Sequence, residues 1–95
     1  MLLDAYAGLE RADARTRLKT VQGWLAKEPE SPMLLRAAGT VAIAGGDHAA
    51  GADYLEQSLR HEAHPEAERA LGELRAFNGD FAKSSEHYRR ALGLA

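Results

Sequence analysis

Gly39, Gly46 and Asp47 recur as Gly72, Gly79 and Asp80, an offset of 33 residues. The same offset pairs Pro32 with Pro65, Arg36 with Arg69, Val41 with Leu74 and Leu59 with Leu92. A fixed period of this length marks stacked supersecondary units. Each unit holds two helical patterns parted by Gly-Asp, so the repeating element is a helical hairpin. The expected fold is all-α, with about five helices in stacked antiparallel hairpins forming a right-handed α-solenoid. Residues 1–30 make a partial repeat, 31–63 a first full repeat and 64–95 a second.

The helices follow from local signals. Leu2, Leu3, Tyr6 and Leu9 could end an incomplete helix within residues 1–10. Asp13 is an expected N-cap, and Leu18, Val21, Trp24 and Leu25 follow at helical spacing, giving a helix from about Ala14 to Lys27 before Pro29. Trp24 is expected to be buried under the next repeat. Ser31-Pro32 opens the second helix, with serine as cap and proline where its missing N–H costs nothing. Leu34, Ala37, Ala38, Val41 and Ala44 form its apolar stripe, and Ala67, Ala70, Leu71, Leu74 and Phe77 form the equivalent stripe after His64-Pro65. Asp47 caps a helix over about His48–His61, and Asp80 one over about Phe81–Leu92, with Tyr88 and Leu92 inward. Ala52, Leu55 and Leu59 share one face, with Tyr54 beside them. Gly39 and Gly72 sit mid-helix, where glycine costs about 1 kcal/mol relative to alanine, so both predict close helix–helix approach. Gly51, Ser58, Ser84 and Ala91 are the small residues facing them.

The small-residue pattern resembles the tetratricopeptide repeat. That family places a small residue in its first helix, a glycine and turn residue between helices, two small residues in its second helix and a closing proline. Gly39, Gly46, Asp47, Gly51 and Ser58 fill one set, and Gly72, Gly79, Asp80, Ser84 and Ala91 the next. Trp24-Leu25 with Pro29 is similar to the tail of a preceding repeat. The period is 33 rather than about 34, and Leu35 and Ala42 replace the family's usual first-helix aromatics. A narrower resemblance is to the C-terminal region of HemY proteins. It rests on Ala5 to Leu9, Gly23 to Pro29, Leu34 to Gly39, Tyr54 to Leu59 and His87 to Leu92. It implies a parent protein associated with haem biosynthesis and anchored in the bacterial inner membrane, with this domain soluble on the cytoplasmic side. The abrupt ends of the chain carry the same expectation of a longer parent, while Met1-Leu2-Leu3-Asp4 lacks the basic n-region of a signal peptide.

Chemistry-bearing patterns are sparse. A net charge of −2 gives no basic face for nucleic acid, and there is no cysteine for disulfides or thiolate metal sites. The uncharged stretch Ala37 to Gly46 is too short to span a bilayer. His61 and His64 straddle the start of a new helix, so no metal site is expected, and solvated turn histidines are the reading. The carboxylates Glu62, Glu66 and Glu73 follow exposed helix faces, and no acid–base pair, P-loop or nucleophile elbow is present. An enzyme is not expected, nor is a cofactor.

The expected function is therefore binding of a protein or peptide in a groove lined by the first helix of each repeat. The candidate residues are Met33, Arg36, Thr40 and Ile43, then Glu66, Arg69, Glu73 and Ala76, with Arg36 and Arg69 side by side to fork onto carboxylates. Thr40 and Glu73 stand where the carboxylate-clamp variant of the repeat needs asparagine, so capture of peptide C-termini is not implied. The competing reading is a porphyrin carrier using Phe77, Tyr88 or a histidine such as His48 or His87. Weak self-association through the terminal helices is also expected, because no polar capping helix follows Leu92-Gly93-Leu94.

Overall fold

The structure, a computed structural model, describes residues 2–93 and, from Asp13 to Gly93, the surroundings of their side chains. Five α-helices follow one another: α1 (Leu2–Leu25), α2 (Pro32–Ala44), α3 (His48–His61), α4 (Pro65–Phe77) and α5 (Phe81–Ala91). The described residues contain no strand.

The repeated Gly-Asp dipeptide builds both tight turns in one way. Gly46 and Gly79 take φ of 90° and 81°, the left-handed region that a side chain disfavours. That twist lets Asp47 N–H donate to the Ala42 carbonyl at 2.9 Å and Asp80 N–H to the Arg75 carbonyl at 2.8 Å, closing each preceding helix. Each aspartate then caps the helix it begins, Asp47 accepting from Ala50 N–H at 3.1 Å and Asp80 from Lys83 N–H at 3.2 Å. Two residues thus end one helix and start the next. The proline-led openings also hold: Ser31 Oγ accepts from Leu34 N–H, and His64 Nδ1 accepts from Ala67 N–H, with proline next in both cases.

Consecutive helices run antiparallel. Ser58, late in α3, donates to the carbonyl of Pro32 at the start of α2, and Ala14 meets Gly45 across α1 and α2. Ser84 donates to the Gly72 carbonyl at 2.8 Å while His87 reaches Glu68, which fixes the sense of α4 and α5. The mid-helix glycines sit where the backbones come closest. A Cβ on Gly39 would lie 2.9 Å from Leu55 Cγ and 3.1 Å from the Gly51 carbonyl oxygen. One on Gly72 would lie 3.0 Å from the Tyr88 ring.

The core is two apolar clusters. Val21, Leu25, Leu34, Leu35 and Ala38 join α1 to α2, with Tyr54 against them; Ala52, Leu55, Ala67 and Leu71 join α3 to α4, with Ile43, Leu59, Ala70 and Leu74 alongside. The molecule is thin, 43 × 36 × 16 Å, and Leu71 is its largest fully buried apolar side chain.

Five details differ from the sequence reading. Asp13 is not a cap: it lies inside α1 with Oδ2 2.5 Å from Arg17 Nη2, one turn on. No proline interrupts residues 2–25, so the weakly patterned start and the amphipathic part join in one helix, which ends at Leu25 rather than Lys27; the side chains of Leu2, Leu3, Tyr6 and Leu9 lie outside the described surroundings. In α2 the buried face is Leu34, Leu35, Ala38, Gly39 and Ala42, and Ala44 is exposed. Helix α2 is gripped between α1 and α3, so its buried arc turns toward Leu35 and Ala42, away from the Ala37–Val41–Ala44 side. In the last repeat Phe77, Tyr88 and Leu92 are exposed rather than inward; only Ser84 and His87 of α5 are buried.

The fifth difference is Trp24, which is 55% exposed. Its neighbour Leu25 takes the inward position, and the indole lies over a shallow apolar hollow with Val21 and Val41. Its fluorescence is therefore expected to be red-shifted and readily quenched by acrylamide. Trp24→Ala should cost below about 1 kcal/mol, rather than the roughly 3–5 kcal/mol of a buried aromatic. A blue-shifted, unquenchable emission would show that the indole is covered.

Candidate functional site

Of the residues expected along the groove, Arg36, Thr40 and Glu66 line a cavity of about 290 Å³ between α2 and α4. Arg36 and Thr40 line it from α2, Leu55 from α3, and His64, Glu66 and Ala70 from the start of α4. Arg36 is half-buried, on the turn of α2 that also carries the buried Leu34 and Leu35. Its guanidinium has Nη1 4.0 Å from Glu62 Oε2, an ion-pair distance too long for a hydrogen bond. That nitrogen is buried and has no hydrogen-bond partner. A buried charged donor in that condition is costly, and an acceptor entering the groove would satisfy it.

The other expected groove residues divide. Thr40 joins Arg36 in the lining. Met33, Arg69 and Glu73 are exposed and Ala76 is half-buried, all outside that lining. Ile43 packs against the second apolar cluster and stands over Gly51. Arg36 and Arg69 are therefore not equivalent: one is half-buried and partly desolvated, the other solvated. His64 is not a solvated turn histidine. It is half-buried, and its ring supplies the N-cap of α4 at the rim of the groove.

Sequence reasoning missed a second polar site. Glu68 and His87 are nearly fully buried, with His87 Nδ1 2.7 Å from Glu68 Oε2. A carboxylate only accepts, so Nδ1 carries the proton and donates. Arg90 Nη1 lies 3.9 Å from the same oxygen and its Nη2 3.8 Å from Glu86. Together with Glu56, Leu59 and Arg60, these residues line an open cavity of about 430 Å³ among α3, α4 and α5. At its edge Arg75 Nη2 donates to Glu56. The signal was present in the repeat itself. Glu68 stands 33 residues after Leu35 and His87 33 after Tyr54, and those two belong to one apolar cluster. An apolar pair in one repeat has become an acid–imidazole pair in the next.

Among the described residues no group of three His, Cys, Asp or Glu side chains is arranged to hold a metal ion, and no helix is long and apolar enough to cross a membrane. His87, named above as a candidate haem ligand, has Nδ1 committed to Glu68, and His48 stands edge-on to Phe77 with ring centroids 5.9 Å apart. No protein-family model, curated protein or solved structure matches the chain.

Proposed function

We propose that this chain is a non-enzymatic protein-interaction module of the tetratricopeptide kind, whose α2–α4 groove takes an acidic peptide segment with Arg36 as its anchor. The observation that carries this reading is the buried Arg36 Nη1 with no hydrogen-bond partner in a groove open to solvent. The repeated hairpins, the close glycine contacts and the resemblance to HemY proteins support the setting: a membrane-anchored parent associated with haem biosynthesis, using this domain to hold another protein. A carboxylate of the partner would complete the donor set of Arg36, while Arg69 adds long-range attraction from the solvent-facing side of α4. Partial burial makes Arg36 the residue of orientation, and exposure makes Arg69 the residue of encounter.

Arg36→Met keeps the stem and removes the charge. A charge-assisted contact contributes about 1.5–3 kcal/mol, so affinity for a bound acidic peptide should fall by roughly ten- to a hundredfold. Reversing Arg36 and Arg69 together to glutamate should weaken binding by at least about a hundredfold, and added salt should weaken the wild-type complex. Arg89→Glu is the control on the far helix; Arg90 is unsuitable because it lies beside Glu68. Fluorescence anisotropy with a labelled peptide selected on the wild-type protein reads all four. Unchanged affinity in Arg36→Met, with loss in Arg89→Glu, would move the site to the α3–α5 side.

A further inference from the structure

In the cavity of about 430 Å³ among α3, α4 and α5, the acids are matched and the bases are not. Glu68 takes the His87 Nδ1–H at 2.7 Å, and Glu56 is bound by Arg75. Arg60, exposed on the α3 wall, makes no hydrogen bond or ion pair among the described residues. Arg90 approaches Glu68 and Glu86 only to 3.9 and 3.8 Å, beyond hydrogen-bonding distance, so its fork is unfilled as well. His87 offers a third group. With Nδ1–H given to Glu68, Nε2 of the neutral ring is an acceptor. That nitrogen has no partner among the described residues, yet it is not sealed from solvent. The same place in the first repeat lacks this chemistry: Leu35 and Tyr54 stand for Glu68 and His87, Gln57 stands for Arg90, and the Tyr54 hydroxyl already accepts from Gln22.

We infer that this cavity binds a small hydroxycarboxylate carrying a single negative charge. Its carboxylate is shared by Arg60 and Arg90, its hydroxyl donates to His87 Nε2, and its carbon skeleton lies on Leu59. Charge sets the class. Arg60, Arg75 and Arg90 stand against Glu56 and Glu68, and Glu86, the other partner of Arg90, is exposed outside the lining. One carboxylate balances the arginine left over, whereas a second would face the two buried or half-buried acids. Pairing each acid with a base inside the protein is what leaves the rim arginines free for a ligand. The cavity is of a size that takes small molecules, and because it is open its affinity is low. For a molecule as small as lactate the dissociation constant is roughly 1–10 mM.

Lactate, propionate and malate, titrated to about 50 mM at constant pH and ionic strength, test this through the resonances of the His87 ring and the Arg60 and Arg90 Nε–H groups. Lactate should shift all three and saturate. Propionate, which lacks the hydroxyl, should bind about two- to tenfold more weakly. Malate, with its second carboxylate, should bind no more tightly than lactate. Arg60→Met removes an exposed charge that has no partner in the fold, so it should keep the wild-type melting temperature and weaken lactate at least about fivefold. The Glu68→Leu/His87→Tyr double variant, which copies the pair of the first repeat, should lose the response at Arg60 and Arg90. Arg36→Met should bind lactate as wild type does, which separates this cavity from the α2–α4 groove. No shift at the three groups, equal affinity for lactate and propionate, or tighter binding of malate would each overturn the proposal. So would lactate binding unweakened in Arg60→Met or in the double variant, or weakened in Arg36→Met.

Discussion

Gly39→Leu is expected to lower the melting temperature by roughly 10–20 °C, from an overpacking cost of about 2–3 kcal/mol at about 4–8 °C per kcal/mol. The cause is the approach of α2 to α3, where even a Cβ would sit 2.9 Å from Leu55 Cγ and 3.1 Å from the Gly51 carbonyl. Leu55 is locked in the second core cluster, and the carbonyl belongs to a helix backbone, so neither can yield without separating the hairpin. Gly72→Leu should be milder, because its neighbour is the Tyr88 ring, which can swing toward solvent. Gly23→Ala is the opposite case. Nothing lies within 4 Å of its added Cβ, so it should stabilise by up to about 1 kcal/mol through helix propensity alone. Thermal melts of the three variants check the ordering; Gly39→Leu melting within about two degrees of wild type would refute the close-approach account.

The second large effect concerns Glu68 and His87. Removing one partner of a buried hydrogen-bonded pair leaves the other unsatisfied, at a cost of about 1–3 kcal/mol, and more where the stranded group is charged. Glu68→Leu should approach that figure, because it strands the His87 ring and takes an acceptor from Arg90. His87→Tyr alone should also destabilise, by setting a carboxylate that has lost its donor beside a larger ring. The double variant copies the Leu35 and Tyr54 of the first repeat, where both side chains belong to an apolar cluster. Replacing a buried pair by apolar groups is often neutral or stabilising, so the double variant should recover most of the loss. Denaturant unfolding of the four proteins gives the coupling directly. Additive losses would mean that the two side chains do not depend on each other.

How legible these features were depended on whether they were set by neighbouring residues or by packing. Helix boundaries at Ser31-Pro32, Gly46-Asp47 and Gly79-Asp80 are written in local turn and cap chemistry, and all appear where that chemistry puts them. Asp13 failed as a cap because cap residues are also acceptable mid-helix when paired, here with Arg17. The α2 stripe was off toward Ala44 because a helix packed on two sides has no single apolar stripe to read. Trp24 misled because residue type sets burial only on average, and its neighbour Leu25 took the inward place. Of the candidate groove residues, helical phase brought Arg36 and Thr40 together. It could not say that Ile43 would fill the gap left by Gly51, or that Arg69 would face solvent. Glu68 and His87 are far apart in sequence, and only comparing the two repeats position by position would have marked them.

The central claim is that the α2–α4 groove binds acidic peptide through Arg36, and amide chemical-shift mapping tests it most directly. A peptide selected from a random library on the wild-type protein is titrated into ¹⁵N-labelled chain, with the Arg36 side-chain Nε–H resonance followed alongside the backbone. The expected result is shifts confined to Arg36, Thr40, His64, Ala67 and Ala70, a large change at the Arg36 side chain, and acidic residues in the selected peptides. Shifts clustered instead around Trp24 and Val21, or around Glu56 and Arg90, with the Arg36 side chain unmoved, would contradict it.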